Sequence, residues 1–218
     1  MKSKMLPLLL IASCFVSRVA AEELTPIDRP TWSIGDTWKY RILDGWNGAE
    51  RRQYVNTVVA FEGDFVVLRG TSSTNADGFT VRMNADQQSC RSLQNDSSVV
   101  CDGPFKFPLS AMYEHKIVKL PFPNGKGTVS GECVGKGVEK VSVPAGEFEA
   151  YRVDCKGHWT RIFDGVGYGR IEDSSWYAPA VKRMVKYSMV DFSPQGMPNN
   201  KEILELMEFK PASLSAVK

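Results

Sequence analysis

Histidine is nearly absent from this chain, with His115 and His158 the only two in 218 residues. That leaves little of the side chain that most often serves as general base near neutral pH. A Gly-x-Ser-x-Gly nucleophile elbow is missing as well, and no Ser/His/Asp set follows from spacing. No Cys-x-x-Cys pair is present, so a Cys/His metal site built on His115 or His158 has no framework, and no cofactor motif is expected. Glu149 and Asp154 fall on opposite faces of one extended segment, which makes them a poor carboxylate pair. Beyond residue 21, no apolar run approaches the ~20 residues that a membrane-spanning helix needs.

A strong charge imbalance is also lacking. The chain holds 27 basic and 25 acidic residues. Three of the basic ones, Lys2, Lys4 and Arg18, lie in residues 1–21, which read as an export signal. Lys2 and Lys4 make the basic start, Leu6 to Val16 the apolar core, and Val19-Ala20-Ala21 a small-residue cleavage site before Glu22. Taking those three from 27 leaves 24 basic against 25 acidic, so the basic balance belongs to the signal and nucleic acid is not an expected partner. A rival reading makes Ile11-Ala12-Ser13-Cys14 a lipobox, with Cys14 acylated and the protein anchored to a membrane. Either way the expected compartment is the periplasm or the exterior. Residues 22–30 read as a loose arm, 31–210 as one domain, and 211–218 as a tail.

What is present points to strands. Trp38, Tyr40 and Ile42 share one face of a segment whose other face carries Lys39 and Arg41, a period of two. Turn signals recur about every eight to twelve residues, at Asp44–Gly48, Glu62-Gly63, Gln94–Asp96 and Pro144–Gly146. A brief helix is expected only over Leu109–His115. Phe105–Pro108 reads as a short edge, and Gly135-Lys136-Gly137 as a turn. Gly165-x-Gly167-x-Gly169 reads as a bend between strands rather than a phosphate cradle, which needs a helix N-terminus after it.

Residues 22–218 contain four cysteines, Cys90, Cys101, Cys133 and Cys155, an even number suited to an oxidising compartment. Of three possible pairings, Cys90–Cys101 with Cys133–Cys155 is preferred. A hairpin closed at Pro144–Gly146 brings Cys155 near Gly135, beside Cys133.

The string Val143-Pro-Ala-Gly-x-Phe148-x-Ala150-Tyr151-Arg152-Val153, then Trp176-Tyr177-Ala178-Pro179, resembles a family of secreted bacterial β-domains of unknown function. Gly35-Asp36-Thr37-Trp38-Lys39-Tyr40 resembles the opening strand of such proteins. The resemblance implies an all-β fold: a single antiparallel meander curved into a half-barrel or barrel, similar to the periplasmic lipoprotein carriers of Gram-negative bacteria. It implies no catalytic residues. Where the family carries glycine, this chain has Ala180 and Lys182, which removes the usual residue for a turn with positive φ.

A curved sheet with few helices must either fill its concave side or leave room for a ligand. Trp38, Tyr40, Ile42, Tyr151 and Val153 are the expected lining residues. The leading functional expectation is an exported, non-catalytic β-protein that binds an apolar, lipid-like ligand or an envelope partner. The alternatives are a structural role in the envelope with no small ligand, and a hydrolase whose site is assembled from residues far apart in sequence.

Overall fold

The computed structural model describes residues 25–93, 96–122, 126–163 and 165–213. The expected export signal and Cys14 lie outside them. Among the described residues the chain forms β1 (Thr37–Asp44), β2 (Glu50–Glu62), β3 (Phe65–Ser72), β4 (Asn75–Met83), β5 (Ser89–Leu93) and β6 (Asp96–Asp102). It continues with β7 (Glu114–Pro121), β8 (Gly127–Val143), β9 (Gly146–Phe163), β10 (Gly165–Ala178), β11 (Arg183–Phe192) and β12 (Pro198–Lys210). All pairings are antiparallel, and they join the strands into one sheet of order β6-β5-β4-β3-β2-β1-β12-β11-β10-β9-β8-β7. First and last strands are paired, so the seam of the nearly closed barrel falls between β6 and β7. The expected all-β antiparallel meander is the fold.

Two elements bridge the seam. Arg91 on β5 donates from Nη2 to the Pro121 carbonyl at the end of β7, at 2.8 Å. Residues 103–113 cross between the two edges and bury Phe105, Phe107, Leu109 and Tyr113. Tyr113 Oη donates to the Pro104 carbonyl at 2.5 Å, and Leu109 exchanges backbone hydrogen bonds with Ile27 of the N-terminal arm. Phe105–Pro108 is therefore an interior plug, not an edge strand. Leu109–His115 holds no helix either: Leu109 is committed to the bridge with Ile27, and β7 already begins at Glu114. The only helical element among the described residues is a 3-10 turn at Pro179–Val181.

The two disulfides are Cys90–Cys101, across β5 and β6, and Cys133–Cys155, across β8 and β9. Gly135-Lys136-Gly137 is not a turn. It is a bulge within the unbroken strand β8, and it shifts the register so that Gly135 faces Val153 and Gly137 faces Arg152. Without that extra residue Cys155 would face Val134; with it, Cys155 faces Cys133.

Candidate functional site: an interior chamber at one end of the barrel

One end of the barrel interior is filled. Trp38, Tyr40, Val58, Leu68, Val185 and Leu206 pack there in one cluster. Beside them, Tyr151, Val153 and Tyr177 pack with the two half-cystines Cys133 and Cys155 under the 103–113 plug. The polar atoms of this end are consumed locally. Trp38 Nε1 donates to the Val181 carbonyl at 2.7 Å, Tyr40 Oη to the Met184 carbonyl at 2.8 Å, and Trp32 Nε1 to the Lys182 carbonyl at 3.0 Å. The opening strand and the Trp-Tyr-Ala-Pro segment are thus bolted to each other. Lys182 adopts φ 58 and ψ 16 without being glycine, and its Nζ pairs with the buried Asp36 carboxylate at 2.9 Å. The positive-φ turn survives the loss of its glycine because the side chain gains an ionic partner.

The Val-Pro-Ala-Gly hairpin closes the same end. Ala145 N–H donates to the Leu206 carbonyl at 3.1 Å, and Val143, Ala145 and Phe148 pack onto the first cluster. Both motifs behind the resemblance hold the fold together.

The other end of the interior is open. A cleft of about 700 Å³ runs from Asp102 and Pro104 at the seam across the inward faces of β7 to β12. Its walls are mainly apolar, with Ile117, Phe122, Ile171, Met184 and Met189 among them. A second hollow of about 380 Å³ continues it over β1 to β4, from Ile42 and Tyr54 to Phe79 and Val81. The two share Tyr187 and Leu204. Gly70 lets the Phe79 ring lie against β3, because a Cβ there would be 2.3 Å from that ring.

The expected lining residues face the interior, but mostly at the filled end. Trp38, Tyr40, Tyr151 and Val153 are 0 %, 1 %, 0 % and 0 % exposed and belong to the packed clusters. Ile42 is the one that lines the open space. Further along the same inward faces, register puts Tyr54 opposite Tyr40, Ser175 opposite Val153, and Asp173 opposite Cys155.

The polar groups of the chamber are unevenly satisfied. Asp191 accepts from Trp159 Nε1 at 2.6 Å. Glu202 is held by Arg51 at 3.0 Å. Arg161 is exposed at the rim, with the rings of Phe122 and Trp159 5.3 and 4.9 Å from its guanidinium carbon. Asp102 lies 4.0 Å from Arg91, and burial raises its carboxyl above the usual range. Asp173 has burial and two like charges acting on it, Asp102 and Asp154, and its carboxyl is pushed up to about 7. Ser175 Oγ is buried with no hydrogen-bond partner. Sequence reasoning missed Asp173 and Ser175. Their spacing of two on β10 put them on one face, but nothing local marked that face as unfilled.

Among the described residues no cluster of His, Cys, Asp and Glu could hold a metal ion. No described helix is long and apolar enough to cross a membrane.

No protein-family model matches the sequence, and no curated protein matches it significantly. Solved structures do match in fold. A proposed lipoprotein of Parabacteroides distasonis aligns with a TM-score of 0.52 at 13% identity, covering 84% of this chain and 99% of that one. A proposed exported protein of Bacteroides fragilis described as having a YmcC-like fold gives 0.48 at 14% identity, over 84% and 99% of the two chains. The hypothetical lipoprotein YmcC of Escherichia coli gives 0.41 at 10%, over 83% and 86%. The first shows that this barrel is a fold already seen in a bacterial protein. None of the three descriptions names an activity.

Proposed function

We propose that the protein is an exported envelope protein that binds an apolar, lipid-like ligand in the open end of its barrel. The observation that carries this is the apolar chamber of about 700 Å³, within the range of small-ligand sites. Two disulfides suit an extracytoplasmic compartment, and the structural neighbours are described as lipoproteins or exported proteins. In this reading Trp38, Tyr40, Tyr151 and Val153 form the packed floor, and Ile42 is the rung where floor becomes wall. Each buried CH₂ contributes about 0.8 kcal/mol, so a ten-carbon chain gains about 8 kcal/mol before the costs of association. Affinity of micromolar order is the ceiling to expect.

The test is titration with N-phenyl-naphthylamine, a neutral apolar fluorophore, on residues 22–218. Saturable binding is expected, weakened about tenfold by Met189→Trp, which fills the chamber and leaves the packed end intact. Absence of saturable binding would return the protein to a purely structural envelope role. The Asp102–Asp173 couple is also what an acid–base hydrolase would use. Turnover of an ester or glycoside abolished by Asp173→Asn would replace binding with catalysis.

A further inference from the structure

We infer that Asp173 and Ser175 form the head-group subsite of the chamber, and that the ligand they select is an amphiphile with a cationic amine at its polar end. This rests on the chamber reading above and goes beyond it by naming the chemistry of the ligand's polar end.

Three independent observations converge on the subsite. Ser175 is 0 % exposed, lines the chamber, and its Oγ has no partner, a state that costs about 1–3 kcal/mol unless something fills it. Asp173, two residues earlier on the same inward face of β10, receives no hydrogen bond or ion pair among the described residues. The acid on the seam side, Asp102, adds a second negative group instead of relieving the first. A buried hydroxyl and a half-buried carboxylate left open on one face of a strand are a poor structural solution and a good receptor. An ammonium group supplies three donors and one positive charge, which satisfies both atoms at once.

The surroundings argue for an amphiphile over a soluble cation. Ile171, Tyr187 and Met189 flank the pair, so whatever carries the amine must bring apolar surface with it. They argue equally against a fatty-acid head at this point. A carboxylate would face Asp173 and Asp102 together, and the cation Arg161 stands at the rim, beside Phe122 and Trp159.

The experiment is displacement of N-phenyl-naphthylamine by decylamine, decanol, decanoate and the tail-less polyamine spermidine, near pH 8, using residues 22–218. Decylamine should compete about tenfold better than decanol and better still than decanoate. Asp173→Asn should remove most of the preference for decylamine over decanol. Ser175→Ala should reduce it about threefold while raising the thermal stability of the ligand-free protein, since it deletes an unsatisfied group. Far-UV circular dichroism checks that each variant is folded, and the amine preference is read as the ratio of decylamine to decanol competition. If the fluorophore and decanol fail to bind the unsubstituted protein, the chamber reading fails. If they bind but decylamine and decanoate compete equally, or the amine preference survives Asp173→Asn, the chamber stands and the head-group inference is overturned. Spermidine competing as well as decylamine would overturn the amphiphile.

Discussion

Asp36 is buried, yet it carries a charge, and of the three neighbours that stabilise it one is local and two come from distant parts of the chain. Its carboxylate accepts from Ser33 N–H at 2.9 Å, from Ala212 N–H at 2.8 Å, and from Lys182 Nζ at 2.9 Å. Burial alone would raise its pKa; the two backbone donors and Lys182 overcome that and hold it below the ordinary 3.8. The stabilisation is therefore fully present above about pH 4, and it is lost as pH falls through the lowered folded value. Asp36→Asn should cost about 2 kcal/mol at neutral pH, because a charge-assisted network becomes a neutral one with a donor where an acceptor is needed. The difference should vanish in strong acid. Urea unfolding at several pH values checks this, and a pH-independent difference would contradict the linkage. None of it was visible in the sequence beyond the Gly35-Asp36-Thr37-Trp38 string. Lys182 in particular looked like a loss, since a glycine position had become a side chain needing positive φ. The ion pair that makes Lys182 a gain spans 146 residues.

At the scale of elements, hairpins and strand faces were legible because period-two alternation and Gly/Pro punctuation are local. Pro144–Gly146, Asp44–Gly48 and Glu62-Gly63 mark real strand ends. Gly135-Lys136-Gly137 deceived for the same reason: glycines that permit a turn also permit a bulge, and only partner register distinguishes the two. Segment 103–113 deceived because Phe105, Phe107 and Leu109 alternate with exposed Lys106 and Pro108 as an edge strand would, and only the crossing of the seam shows that they fill the interior. Its Phe107 ring lies 5.1 Å, edge on, from Tyr177 and is 6 % exposed. Phe107→Ala should therefore cost about 3–5 kcal/mol, the loss typical of a core aromatic, where an edge residue would lose well under 1 kcal/mol. Chemical denaturation distinguishes the two, and a small loss would mean that the plug does not hold the filled end closed.

For the whole molecule, the inward face was readable and its occupancy was not. Every strand contributes one face to the interior, so Trp38, Tyr40, Ile42, Tyr151 and Val153 were placed on the right side of the sheet. Which end is filled depends on the Val-Pro-Ala-Gly hairpin folding onto Leu206 and on residues 103–113 crossing the seam, both non-local events. The chamber left at the other end has a consequence for stability. Asp173 binds its proton more tightly in the folded chain, near 7, than in the unfolded chain, near 3.8. Stability is then greatest below the lower value, falls as pH rises between the two, and stays reduced above about 7. Burial and the charges of Asp102 and Asp154 cause the shift, and water entering the open chamber screens part of the cost. Asp173→Asn should accordingly stabilise the ligand-free protein by about 2 kcal/mol near pH 8, and by nothing below about pH 4. A decylamine concentration a hundredfold above its dissociation constant should return about 2.7 kcal/mol to the unsubstituted protein and much less to the variant. A structural carboxylate would behave in the opposite way, with Asp173→Asn destabilising at every pH and no recovery by the amine. Thermal unfolding of both proteins at two pH values, with and without decylamine, decides between a residue kept for binding and one kept for the fold.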